Sequence, residues 1–193
     1  MNTTEPIRDK NQIRQLINYY LERNDIRNYV LIVMCIYTAL RISDLLNLRW
    51  DDVYDFDNKC VRKTITLSEK KTRKPKTIAL NMNVQAALEI YVSAAKPGKF
   101  IIENKRTKKS ISRVQAYRII RAAAKALKFS YKVSCHSLRK SFGYHAWKSN
   151  ISPIVIMDIY NHSSLAVTKR YLGITQDDKN AVYMSLDFSS HDS

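Results

Sequence analysis

Residues 26–40 are apolar on nearly every helical face, and 29–37 form the longest unbroken apolar run in the chain. A helix with no polar side has to be enclosed by other elements, so this segment reads as a buried central helix. The run is far too short to cross a bilayer, which takes about 20 residues. It also lies too deep to be a signal peptide, and the first ten residues are polar. The 193-residue chain is 45% hydrophobic, enough for a core around that helix and too much for a disordered chain. Only 3 Gly and 4 Pro argue against a turn-rich all-β sandwich.

Other segments supply the enclosure. Residues 9–22 carry Ile13, Leu16, Ile17, Tyr20 and Leu21 on one helical face. A short helix is expected from Ser43 through Leu45, Leu46 and Leu48. The pattern then turns β-rich at 61–67 and 77–80, bracketing a basic tip, with 53–56 as a further strand. Helical spacing returns at 83–95, ahead of Pro97-Gly98. Ser112 can cap a helix to about Lys128 with Val114, Tyr117, Ala124 and Leu127 facing inward. Four further helices are expected at 137–149, 153–160, 165–172 and 175–186, the last with an acidic first turn that suits the helix dipole. The fold class is α+β: a single mainly helical domain over 1–193 with one small antiparallel β-sheet. Cys35, Cys60 and Cys135 lack metal-ligand spacing and read as reduced core thiols of a cytoplasmic protein.

The chain carries 33 Lys and Arg against 17 Asp and Glu, a formal charge of +16. Residues 62–76 hold seven basic residues and one acid, and 96–128 hold eleven and one. DNA presents a charge about every 1.7 Å of axis and rewards such stripes. A membrane surface is the competing polyanion, but no amphipathic basic helix stands out.

No Walker loop, G-x-G-x-x-G, H-E-x-x-H or acidic metal cluster is present, so no cofactor or metal is expected. Metal-free phosphoryl transfer requires fixed cations, a proton donor and a protein nucleophile. His136 and Arg139 stand three apart, on one face of a helical turn. Arg41 interrupts an apolar stretch and is either buried with a partner or aimed at an anion, with Asp44 placed to orient it. His162 and Tyr171 are nine apart and would sit on opposite faces of one continuous helix. They meet only if His162 precedes the helix, which Ser163 or Ser164 as a cap allows. His145, amid aromatics, reads as structural.

Thr38-Ala39-Leu40-Arg41-Ile42-Ser43-Asp44-Leu45, followed by Leu48-Arg49-Trp50-Asp51-Asp52-Val53, resembles the first arginine box of the tyrosine recombinases, the phage-integrase family. His136-Ser-Leu-Arg139 is similar to the family's H-x-x-R box, and Asn161-His162 with Tyr171 to its His/Tyr box. The basic hairpin with Lys71 and the terminal Ile78-Ala79-Leu80 resembles its β-hairpin lysine segment. The segment from Leu172 to Lys179 resembles integrases of Gram-positive mobile elements. Two glycines usual in the family are Ala39 and Asn161 here, and Lys70 beside Lys71 leaves the lysine assignment open by one position.

The resemblance implies the catalytic-domain fold of DNA breaking-rejoining enzymes and a site-specific recombinase working through a 3′-phosphotyrosyl intermediate. Tyr171 would be the nucleophile, Arg41 and Arg139 the phosphate clamp, and Lys71 the donor to the leaving oxygen. His136 would handle the nucleophile's proton, and His162 would bond the phosphate. The histidines are expected to titrate in the neutral range. Double-stranded DNA is the expected partner, touched by Lys70, Arg73, Lys74 and Lys76 of the hairpin and by Arg113, Arg118, Arg121 and Lys125 of one helix. A tetramer on synapsed sites exchanging the helix at 175–187, and a monomer without DNA, are further expectations. The amino-terminal core-binding domain usual in the family has no counterpart before Asp9, which fits a short stand-alone member or a fragment. A catalytically weak accessory relative is the alternative function.

Overall fold

The computed structural model describes residues 4–69, 75–95 and 97–186. Along these the chain forms α1 (Lys10–Leu21), α2 (Ile26–Tyr37), α3 (Ile42–Leu45), α4 (Trp50–Val53), β1 (Tyr54–Asp55), β2 (Cys60–Val61), β3 (Thr64–Ser68) and β4 (Pro75–Ala79). There follow α5 (Met82–Ala94), α6 (Arg113–Ala126), α7 (Cys135–Lys148), α8 (Pro153–Tyr160), α9 (Leu165–Leu172) and α10 (Gln176–Ser185).

The all-round apolar helix α2 lies at the centre, packed against α1, α5 and α7, with Val30, Leu31, Ile32 and Met34 fully buried. Helix starts follow side-chain caps: Asp9 accepts from the Asn11 amide, Asn81 from Val84 and Ser112 from Gln115. Ser134 accepts from the Ser137 amide and begins α7 two residues earlier than the apolar pattern predicts. His136 is thereby brought into its first turn. The short helix α4 replaces part of the expected strand at 53–56; Asp51 and Asp52 give it an acidic first turn.

The expected single sheet is two antiparallel pairs. β1 pairs with β2, and β3 with β4 in the register Ile65↔Ile78 and Leu67↔Lys76. Period-two alternation puts Ile65 and Ile78 inward and carries Lys76 onto the same side. Two further expectations fail on exposure. On α6 the buried set is Ala116, Ile120, Ala123 and Ala124, whereas Val114 is 58% exposed. Helical periodicity alone leaves that face ambiguous near the amino-terminal turn. Cys60 is exposed at a strand end, while Cys35 is buried and Cys135 partly so.

A second, smaller core of Ala39, Ile156, Tyr160 and Leu172 fixes α8 and α9 against α7. The described part of α10 has no buried residue; its Lys148–Asp178 ion pair is a surface contact. No helix among the described residues is long and apolar enough to cross a membrane. The packing predicts a sharp contrast in stability. Leu31→Ala should cost about 3 kcal/mol through the cavity it leaves. Val182→Ser on α10 should cost under about 0.5 kcal/mol. Denaturant unfolding of the two variants checks both values.

Candidate active site

The site is assembled around the carboxyl end of α8. Asn161 adopts a left-handed backbone (φ 51°), which ends the helix and turns the chain so that the His162 amide donates back to Met157 O. The last carbonyls of a helix have no intrahelical partner and carry the negative end of its dipole. Three cations take them up. Arg41 Nη2 donates to Tyr160 O at 3.3 Å, Arg139 Nη2 to the same oxygen at 3.1 Å, and Lys76 Nζ to Ile159 O.

Arg139, only 3% exposed, also donates through Nη1 to Ala39 O. Ala39 is itself left-handed (φ 53°). This is an unusual backbone for a residue with a Cβ. Burial and the neighbouring Arg41 pull the Arg139 guanidinium below its ordinary pKa. Arg41 sits at the amino-terminal cap position of α3, extended, with its side chain 21% exposed. Its ion pair is with Glu69, Nη1 to Oε1 at 2.7 Å, and not with the expected Asp44, which is buried on α3. Nothing in the local pattern around Glu69 marks it, because it reaches Arg41 from a distant segment, just past the end of β3.

Ser164 caps α9, so His162 precedes that helix and can meet Tyr171 despite the nine-residue spacing. Their ring centroids lie 4.4 Å apart, and His136 from α7 lies 4.9 Å from Tyr171 on an edge-on approach. Thr168 Oγ1 is 3.0 Å from His162 Nδ1 and holds that ring. Lys140 Nζ stands 5.6 Å from the Tyr171 ring centre and donates to Thr4 O. Gly173, at φ 62°, stops α9 directly after Tyr171 and Leu172.

A second tyrosine lies in the same cluster. Tyr160 is fully buried; its hydroxyl donates to Arg139 O and accepts from the Gly143 amide at 2.7 Å. That hydroxyl is fully engaged, and burial pushes its pKa well above the ordinary value. Tyr171, by contrast, lines an open cleft of about 560 Å³ together with Arg41, Arg113, His136 and Arg139. Of the two tyrosines, Tyr171 is the one that lines the cleft. Tyr160 is a buried spacer that stacks on His162 and lies under the Arg139 guanidinium.

Both imidazoles depart from the neutral-range expectation. Burial, reinforced by Lys140 and Arg139, pushes His136 down to about 4. Burial, then Arg139 and Arg41, brings His162 to about 4 as well. Both rings are neutral at pH 7, when each has one nitrogen able to accept a proton. Lys76, expected on DNA, turns inward: its side chain is 9% exposed, and burial next to Arg139 lowers its pKa to about 8. Arg113, Arg118, Arg121 and Lys125 lie along α6, Arg113 at the cleft. Lys70, Lys71, Arg73 and Lys74 lie outside the described residues. The structure thus brings together Arg41, His136, Arg139, His162 and Tyr171. It adds Glu69, Lys76, Tyr160 and Lys140, whose place depends on tertiary contacts.

The model of the phage integrase family matches residues 8–177. The chain is 36% identical over 183 residues to the probable integrase/recombinase YoeC of Bacillus subtilis, covering 95% of this chain and 97% of that protein. It is 25% identical to the tyrosine recombinase XerA of Pyrococcus furiosus, over 85% of this chain and 56% of that longer protein. The crystal structure of a XerA recombinase superposes with a TM-score of 0.75 at 21% identity, covering 94% of this chain and 65% of the other. The Tn1549 transposon integrase, solved with a circular intermediate DNA, gives 0.74 at 19% identity over 96% and 67%. The fold is that of tyrosine recombinase catalytic domains. The chain belongs to the phage integrase family.

Two stability outcomes follow from the geometry. A Cβ on Gly143 would stand 2.6 Å from the Tyr160 hydroxyl. Gly143→Ala should therefore displace Tyr160 and cost about 2–3 kcal/mol in chemical denaturation. The histidine shifts carry a pH signature. Folded His136 and His162 resist protonation until about pH 4, whereas unfolded ones bind protons from about 6.5. Stability should fall as pH drops through that window. A His136→Gln/His162→Gln variant should show a shallower fall in Tm, and an unchanged slope would contradict the assignment.

Proposed function

We propose that this protein is a site-specific DNA recombinase that cleaves and rejoins double-stranded DNA through a phosphotyrosine at Tyr171. The observation that carries the reading is the convergence of Tyr171, His136, Arg41 and Arg139 on one open cleft, with the His162 ring against Tyr171. In the proposed step Tyr171 Oη attacks the scissile phosphorus, and a P–Oη bond forms as the P–O5′ bond breaks. The tyrosine proton passes to neutral His136, and the departing 5′-oxygen takes a proton from Lys71. Arg41 and Arg139 hold the charge growing on the non-bridging oxygens, a task suited to planar forks with several donors. His162 meets the phosphate through Nε2, while its Nδ1 is paired with the Thr168 hydroxyl. Rejoining is the reverse attack by a 5′-hydroxyl. The phosphotyrosyl link retains the energy of the broken phosphodiester, so the cycle needs neither ATP nor a metal.

The cations of α6 extend from the cleft edge and supply the backbone contacts of such a duplex. Relatives in the family, a transposon integrase solved with DNA among them, are consistent with DNA as the substrate. The protein would act as one catalytic domain in the cytoplasm, monomeric until DNA assembles a tetramer. The exposure of Val182, Tyr183, Met184 and Leu186 on and after α10 supports exchange of that helix between protomers.

A nicked suicide duplex carrying the mobile element's own ends, incubated in EDTA and run on a denaturing gel, tests this. The wild-type protein should give a covalent protein–DNA band, and Tyr171→Phe should reduce it at least ~10³-fold. A band that persists in the variant, or none from the wild type bound to DNA, would overturn the reading.

A further inference from the structure

We infer that Glu69 is a positioning residue for Arg41, holding the guanidinium at the cleft where it meets a phosphate; the catalytic consequence rests on the strand-transfer reading. The Glu69 side chain is 0% exposed. A carboxylate so buried persists only with cationic and hydrogen-bonding partners, and three elements supply them. Oε1 is 2.7 Å from Arg41 Nη1, at the start of α3, and 4.0 Å from Lys76 Nζ on β4. Oε2 accepts from Asn161 Nδ2 at 3.0 Å, at the turn that ends α8.

Glu69 and Tyr160 O lie against different terminal nitrogens of Arg41, the first as an ion pair and the second as a hydrogen bond, and together they fix where the fork sits. Arg41 lines the cleft beside Arg139, His136 and Tyr171; Glu69 does not. The carboxylate thus backs the arginine without occupying the substrate's place. Its charge also offsets part of the repulsion among Arg41, Arg139 and Lys76, which would otherwise drive Arg41 into other rotamers. A phosphate then meets an arginine whose geometry is already set, the condition under which a fixed charge contributes most to a transition state. Asn161 serves twice in this arrangement, through its left-handed backbone and through its amide.

Glu69→Gln keeps the size and the acceptor for Asn161 and removes the charge. With this variant, single-turnover formation of the covalent complex should slow about tenfold to hundredfold on ordinary DNA, the usual effect of a misplaced charge-stabilising group. On a duplex with a neutral methylphosphonate at the scissile position, the charge that Arg41 neutralises is missing, so the wild-type and variant rates should converge. Equal rates on ordinary DNA, or the same deficit on both substrates, would overturn the inference, the second outcome being that of a general structural defect. A thermal-stability cycle with Arg41→Ala reads the pairing without any chemistry. Glu69→Gln should lower Tm when Arg41 is intact and leave it unchanged or raised in the Arg41→Ala background, and absence of coupling would also overturn the inference. If the wild-type protein forms no covalent complex, the strand-transfer reading fails, and the cycle alone decides whether Glu69 holds Arg41.

Discussion

Three buried or half-buried cations share the carboxyl end of one eight-residue helix, and the rest of the site depends on that contact. Arg41, Arg139 and Lys76 come from sequence positions far apart and would repel one another in an apolar interior. The carbonyls of Ile159 and Tyr160 and the carboxylate of Glu69 make their approach tolerable. Once held there, the guanidiniums place a cationic floor beside Tyr171. The same cations help to hold the two imidazoles unprotonated. A single electrostatic arrangement thereby gives the cleft two fixed guanidiniums and a neutral imidazole.

Backbone conformation makes the arrangement possible. Ala39 and Asn161 are both left-handed, and each turn aims carbonyls at the arginines: Ala39 O at Arg139, Tyr160 O at both. Tyr160 then fills the space beneath them, its hydroxyl seated against Gly143 with no room for a side chain there. The small core of Ala39, Ile156, Tyr160 and Leu172 is as much part of the site as the residues that line the cleft.

Much of this is legible in the chain itself. The unbroken apolar run at 29–37 announces a central helix, and Ser112 and Ser164 announce helix starts through their capping chemistry. Residue identity and short spacing also point to Arg41, His136, Arg139, His162 and Tyr171. The meeting of His162 with Tyr171 turns on whether a serine interrupts the helix, and a cap is a local signal. Glu69 and Lys76 cannot be found this way. Each looks like one more charge in a basic hairpin, although the step of two from Lys76 to Ile78 is a faint sign that the lysine faces inward. Val114 is misplaced because it lies on the far side of α6 from the buried Ala116, Ile120 and Ala123.

The set of elements and the inventory of reactive groups follow from the chain alone, because capping, periodicity and residue chemistry act within a few positions along it. Which carboxylate pairs with Arg41, which of two neighbouring tyrosines lines the cleft, and how far the histidines leave their ordinary pKa come from tertiary contacts. Those properties depend on burial and on charges brought within a few ångströms by distant segments. Desolvation and Coulomb energy follow distance in space and are blind to separation along the chain.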